Sequence, residues 1–396
     1  MKKIKSFNKD NYNIKEPIII YGASVYGEIA YFALKALGLT PDFFCDRAAK
    51  DDEYFGVKVI KPSMLVDKVH ANIIIASVDY FYDILGYLQG IGCDNIYDMS
   101  ELMKLDFDLS ELSERAKYKF DYKKQYIDLA DSVRLSDKPS FSRVQYIVTE
   151  KCSLKCRDCS HLMQYYKHPQ NIDLDKYKSA FECFLEHVGM ISDLRILGGE
   201  PLMNPAMYKV IDWFHSDKCI KTISVYTNGT IVPNKEIIEY LKYDNVRVHV
   251  SQYEVNKERI KKVISCLENN KIKYYVEPFI NWQTPGNLIK RNCSEAQNIE
   301  KFQRCFDSSG YYFYKDRLYR CPRSVHGVNI GAIPDNDSEY VDFGKEGISY
   351  MEIEERLKRL MARTSLEACD YCDGLDNHRQ SIEPGIQIKY VKSFSE

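Results

Sequence analysis

Three cysteines within eight residues, Cys152, Cys156 and Cys159 in the run Glu150-Lys-Cys-Ser-Leu-Lys-Cys-Arg-Asp-Cys-Ser160, constrain this chain more than any other feature. The C-x3-C-x2-C spacing lets one turn of loop aim three thiolates at a point and supplies no fourth ligand from the same run. Closed structural metal sites normally gather four ligands, whereas three leave a coordination position open for chemistry. A zinc site would need a local fourth Cys or His, and the nearest, His161, stands only two residues past the last cysteine. Thiols buried as small core residues are the plain alternative.

The neighbouring segments supply a scaffold for such a loop. A first apolar strand, Val144 to Thr149, leads into the cysteines. The run Leu194-Arg-Ile-Leu197 empties into Gly198-Gly199-Glu200-Pro201, Thr222 to Tyr226 ends in Thr227-Asn228-Gly229, and Val246 to Val250 ends in Ser251-Gln252-Tyr253. These are strand-like runs closed by polar turns. Two glycines expose backbone at close range, and a carboxylate stands beside them at the strand's end.

On these residues, the segment from about Arg143 to Tyr253 resembles the core of a radical S-adenosylmethionine (SAM) enzyme. The resemblance implies that Cys152, Cys156 and Cys159 ligate a 4Fe-4S cluster whose remaining iron is chelated by SAM. It further implies that Gly198, Gly199 and Glu200 receive the methionine amino group, and that Asn228 and Ser251 belong to the SAM site, with Gln252 or Tyr253 as substitutes for Ser251 at the ribose. The family usually places a bulky residue just before the third cysteine, against the adenine, and Asp158 departs from that pattern. The implied chemistry is one-electron reduction of the sulfonium, giving methionine and a 5'-deoxyadenosyl radical that removes a hydrogen atom from substrate.

A second constellation lies downstream: Cys305, a hairpin-like stretch from Tyr311 to Tyr319, Cys321, then Cys369 and Cys372 as a C-x2-C. It resembles the auxiliary-cluster modules of the SPASM and twitch subclass, in the shorter twitch form with one cluster. Four thiolates would serve a structural zinc ion equally well. Cys45, Cys93, Cys183, Cys219 and Cys266 read as small core residues, while Cys293 sits in a polar loop and is a candidate thiol hydrogen donor. Trp282, beyond the fifth strand (Ile272 to Val276), is a candidate substrate contact, and His161 and His326 are candidate acid/base or substrate groups.

Upstream, short apolar runs alternate with helical patterns from Glu16 to Tyr97, predicting a Rossmann-like parallel sheet. Gly22-Ala-Ser24-Val-Tyr-Gly27 opens a helix, and Asp46 ends the second strand. Together they resemble a nucleotide-binding fingerprint in which serine replaces the middle glycine. The segment also resembles small domains attached to sugar-modifying enzymes of polysaccharide pathways.

The expected organisation is therefore α/β throughout: a Rossmann-like domain (1–100), a helical linker (101–139) with an amphipathic stretch from Leu112 to Val133, a partial (β/α)6 TIM-type radical SAM barrel (140–300), and a twitch-like module with a helix from Ser349 to Ala362 and a frayed tail from Ser381 (301–396). With 55 basic and 57 acidic residues the chain has no general attraction for nucleic acid or an anionic membrane. No apolar stretch has the length of a membrane span, the first residues lack the apolar core of a signal peptide, and an odd number of cysteines with an iron-sulfur site suits a reducing cytoplasm.

The function expected is radical oxidation or epimerisation of a polar small molecule, such as a sugar or nucleotide sugar in polysaccharide synthesis, with flavodoxin or ferredoxin as reductant. A peptide-modifying radical SAM enzyme and a non-catalytic iron-sulfur redox or scaffold protein are the alternatives.

Overall fold

Runs of isoleucine and valine only a few residues long, buried on both faces, require a sheet covered by helices on each side. The computed structural model describes residues 4–47, 49, 51–376 and 379–396, and in it the chain divides into two units, Met1–Ser142 and Arg143–Glu396. Residues 101–139 fall in the first unit and residues 301–396 in the second.

In the first unit the strands lie in the order Lys5–Ser6, Ile96–Asp98, Asn72–Ile75, Ile18–Tyr21, Phe43–Cys45, Val57–Ile60 and Glu53–Tyr54. All neighbours are parallel except the last pair, which forms a small hairpin. The central strand, Ile18–Tyr21, has partners on both sides, so the chain changes direction across the sheet at its carboxyl end.

Gly22 and Gly27 stand at that end, and both are held by close approach. A Cβ on Gly27 would lie 1.9 Å from the Gly22 carbonyl oxygen, and one on Gly22 would lie 2.5 Å from the Ala76 oxygen. The turn thus lets the helix Val25–Ala36 start directly against the strand ends.

The amphipathic stretch expected from Leu112 to Val133 forms two helices, Glu114–Asp121 and Lys123–Leu135, broken at Tyr122. Ser113 caps the first through Ala116 N–H and donates its hydroxyl to the buried Glu28 carboxylate at 2.8 Å. Tyr126 on the second donates to the Ile75 carbonyl and accepts from Met99 N–H. The amphipathic period located the buried face, but the break depends on these tertiary anchors.

The second unit carries an eight-stranded sheet. Five parallel strands follow one another in chain order: Val144–Thr149, Leu194–Gly198, Ile223–Thr227, Val246–Gln252 and Tyr274–Pro278. Helices Leu174–Glu186, Tyr208–Phe214, Lys235–Leu241 and Lys257–Asn269 connect them, so all five strands end at one edge. The fifth strand runs two residues later than its apolar run, because its pairing with Val248 to Gln252 begins at Tyr274.

Beyond the first strand the sheet continues with Tyr312–Tyr314, parallel to it, and then with the antiparallel Arg317–Tyr319 and Tyr340–Asp342. The hairpin predicted from Tyr311 to Tyr319 is therefore part of the main sheet. Aromatic packing fastens it: Phe181 meets Tyr146 and Phe313 with ring centroids 4.8 Å apart in each pair. The helix predicted from Ser349 runs Tyr350–Met361 with Ser349 as its cap.

Among the described residues no helix is long and apolar enough to cross a membrane. The reading of a leaderless start concerns residues 1–3 in part, and these lie outside the described residues.

Adding one methyl at Gly27 must displace backbone, and overpacking of this kind costs about 1–3 kcal/mol. Gly27→Ala is expected to lower the urea midpoint of the first unit's transition, followed by circular dichroism beside the wild type.

Candidate active site

All five parallel strands of the second unit end at one edge, the position where open α/β sheets bind ligands, and the first four deliver polar turns or the cysteine loop there. There the strand Leu194–Gly198 and the stem of the cysteine loop approach backbone to backbone. Gly199 N–H donates to Thr149 O at 3.0 Å and Glu200 N–H to Lys151 O at 2.8 Å. A Cβ on Gly198 would sit 2.2 Å from Thr149 O; one on Gly199 would sit 2.2 Å from Lys151 O and 2.9 Å from the Cys152 Cβ. The glycine pair is therefore what lets the first cysteine lie against the second strand.

Glu200 is fully buried, and its carboxylate accepts from Leu202 N–H, the Thr227 hydroxyl and Asn228 N–H at 3.2, 2.8 and 2.7 Å. Burial pushes its carboxyl up to about 7 against the pull of those three donors. Glu200 thus ties the Gly-Gly turn to the Thr-Asn-Gly turn. Asn228 in turn points its Nδ2 at the Cys152 sulfur, 3.6 Å away, and at Ser153 Oγ, 3.1 Å away.

Asn256, which the sequence reading passed over, continues this chain of contacts. It is fully buried, donates to the carbonyls of Asn228 and Ser251, and accepts from Tyr253 N–H. Its local signal was the three-residue spacing from Tyr253, which forms a capping box. The Ser251 side chain bonds the Tyr253 hydroxyl, which burial first and the neighbouring Cys156, Cys159 and Cys152 after it raise well above the ordinary phenol range. Tyr253 therefore brings an aromatic ring to the cysteine loop, where Asp158 instead pairs with Arg157 at 2.7 Å.

The three thiols are free and mutually close. Burial, then Cys159, raises Cys152 well above the ordinary thiol range, and burial with Cys159 pushes Cys156 up to about 12. Cys159 is raised by burial while the N–H groups of Met163, His161 and Leu162 point at it and oppose the rise. Such thiols keep their protons until a cation displaces them. Among the described residues no group of three or more His, Cys, Asp or Glu is gathered to hold a single metal ion. In an iron-sulfur cluster each cysteine binds a different iron, so convergence on one point is not required. Three free thiols beside an edge with no room for side chains fit a cluster with one iron left for a small ligand.

The segment from Ser381, expected to fray, instead crosses the cysteine loop. Arg157 N–H donates to Ile386 O and Ile388 N–H to Lys155 O, flanking a bridge between Cys156 and Gln387. The chain pays out from a second bridge, Ile382 with Trp282, whose ring lies edge-on to Tyr253 at 5.2 Å. Trp282 is thereby placed beside the site through Tyr253. Backbone pairing with partners more than two hundred residues away leaves no mark in a local pattern, which explains the miss.

His161 and His326, distant in sequence, meet with ring centroids 5.5 Å apart. Burial lowers both, His326 far below the usual histidine range. Tyr166 receives a hydrogen bond from Asn329 at 3.0 Å and shares another with His326 Nδ1 at 2.8 Å. Among the described residues, His326 Nε2, His161 Nδ1, Tyr165 Oη, Gln164 Oε1 and Ser324 Oγ are buried without hydrogen-bond partners. Unpaired buried polar atoms are costly, and two of these belong to the touching rings of His161 and His326.

In the second cysteine set, Cys321 is raised well above the ordinary thiol range by burial first, then by Asp307 and by Cys305, Cys372 and Cys369 nearby. Cys305 and Cys369 are each pushed up to about 12, mainly by burial. Cys293 lies at this set, not at the first: its N–H donates to Asp370, and Lys301 Nζ contacts its sulfur at 3.6 Å while bonding the carbonyls of Cys369 and Cys372.

In the first unit, the Asp46 carboxylate accepts from Ala23 N–H at 2.9 Å, inside the turn that begins at Gly22, and Ser24 is exposed at the start of its helix.

Residues 146–280 match the model of the Radical SAM superfamily. No curated protein matches the chain. Among solved structures, native anSMEcpe with bound AdoMet and Cp18Cys peptide is 16% identical with a TM-score of 0.31, over 36% of this chain and 44% of that one. BtrN in complex with AdoMet and 2-DOIA is 15% identical with a TM-score of 0.40, over 64% of this chain and 100% of that one. Streptococcus suis SuiB bound to precursor peptide SuiA is 18% identical with a TM-score of 0.30, over 51% and 45%. The stretch so matched is the one that holds the cysteine loop and the strand-end turns.

Because Gly199 has Lys151 O and Cys152 Cβ where a side chain would stand, Gly199→Ala is expected to push the first cysteine off the strand. Iron bound after anaerobic reconstitution should fall markedly relative to the wild type, while the far-ultraviolet circular dichroism stays unchanged.

Proposed function

We propose that this protein is a radical SAM enzyme that modifies a polar, hydroxyl-bearing small molecule, such as a sugar or nucleotide sugar, by oxidation or epimerisation. The observation that carries the reading is the backbone contact of Gly198 and Gly199 with the stem of the loop that bears Cys152, Cys156 and Cys159. It joins the ligands for a 4Fe-4S cluster to the edge that would hold the amino acid part of SAM. Such a cluster supplies one electron to SAM, releasing methionine and a 5'-deoxyadenosyl radical that abstracts a hydrogen atom.

The chain's own residues bind, orient and exclude water. Cys152, Cys156 and Cys159 hold the cluster, and the Gly198-Gly199 edge faces the methionine ammonium. Glu200, spent on three internal donors, fixes the distance between that edge and Asn228. Ser251 and Tyr253 stand at the nucleoside side. His326, its Nδ1 tied to the Tyr166 hydroxyl, offers a buried Nε2 to a substrate hydroxyl, beside the ring of His161.

The wider reading follows from this centre. The second unit is a partial β/α barrel built on five parallel strands, with a twitch-like module in which Cys305, Cys321, Cys369 and Cys372 would hold one auxiliary cluster able to accept an electron from a substrate radical. The first unit is Rossmann-like, and Gly22, Ser24, Gly27 and Asp46 would meet a nucleotide. The enzyme works in the cytoplasm with a flavodoxin or ferredoxin as electron donor.

Anaerobically reconstituted protein with SAM and dithionite is expected to form 5'-deoxyadenosine, measured by chromatography, and a variant with Cys152, Cys156 and Cys159 changed to alanine should form none. An iron-loaded wild type that forms no 5'-deoxyadenosine would overturn the proposal.

A further inference from the structure

The Gln387 side chain is fixed at both ends of its amide. Its Oε1 accepts from Lys155 N–H at 2.6 Å, which turns Nε2 toward the cysteine loop, where it donates to the Cys156 sulfur at 3.2 Å and to Gly385 O at 2.7 Å. The backbone on either side is paired with the loop, through Arg157 N–H to Ile386 O at 2.7 Å and Ile388 N–H to Lys155 O at 2.9 Å. Further along, Lys392 N–H donates to Gln164 O and Leu288 N–H to Phe394 O. Cys156 is buried beneath this crossing, whereas Gln387 is exposed on its outer side.

A hydrogen bond to a cluster-ligating sulfur favours the state in which that sulfur carries more negative charge. Reduction of an iron-sulfur cluster adds one electron and increases that charge, so an N–H donor raises the reduction potential. We propose that Gln387 is a positioning residue that donates to the Cys156 thiolate and eases reduction of the cluster, while its segment holds the cysteine loop in place. The inference rests on the reading that Cys152, Cys156 and Cys159 ligate a cluster.

The test is a dithionite titration of the reconstituted wild type, Gln387→Met and Gln387→Glu, followed by electron paramagnetic resonance. Methionine keeps the length of the side chain and removes the donor, and its exposed position spares the core. Q387M is expected to make reduction about tenfold less favourable, which for one electron is 59 mV lower; Q387E, which adds a negative charge, should lie lower still. Loss of iron from Q387M at an unchanged melting temperature would also support the proposal, through the holding role of the segment. An iron-loaded Q387M that titrates with the wild type overturns it and leaves the cluster reading intact. A wild type that takes up no iron overturns the cluster reading itself.

Discussion

The close passage of Gly198 and Gly199 beneath the stem of the cysteine loop is the constraint on which the site depends. Two backbone hydrogen bonds, to Thr149 O and Lys151 O, close the gap between the first and second strands at their carboxyl ends. They form only because neither residue has a Cβ. Once that gap is closed, the position of Cys152 is set by the sheet and not by the loop, and the remaining cysteines need only curl over it.

Polar side chains then carry the same order sideways along the strand ends. Glu200 reaches the third strand's turn, Asn228 reaches back to Cys152, and Asn256 links that turn to the end of the fourth strand. Each is satisfied by backbone groups or by another member, which is how a buried polar network becomes rigid instead of costly. The histidine pair contrasts with it. There one ring nitrogen of each histidine stays buried without a partner, so that pair lacks the mutual satisfaction that holds the strand ends.

Much of this was legible in the sequence because local chemistry dictated it. Two glycines after a buried run, a strand closed by Thr-Asn-Gly, and short isoleucine-rich strands each announce themselves within a few residues, as did the hairpin from Tyr311. What stayed hidden depended on partners far along the chain. Asn256 looks like any loop asparagine until the carbonyls of Asn228 and Ser251 are set beside it, and Gln387 sits in a stretch with no periodicity. Cys293, read as a lone thiol in a polar loop, belongs with Cys369 and Cys372 because Lys301 and Asp370 bring it there. The Gly-Ala-Ser turn shows the converse: its glycines have a packing reason, and Asp46 already bonds Ala23 N–H within its own turn.

The crossing of the cysteine loop by the last described segment also sets an order of events in the life of the chain. Gln387 follows Cys156 by 231 residues. At about 5–20 residues per second of synthesis, the loop waits on the order of 10–50 s for its cover to exist. During that interval the three thiols lack the backbone pairing that later covers them and stand more open to solvent and to oxidants. Whatever those thiols bind therefore reaches them most freely before the segment around Gln387 is made, and afterwards has to pass the backbone pairing on either side of Cys156.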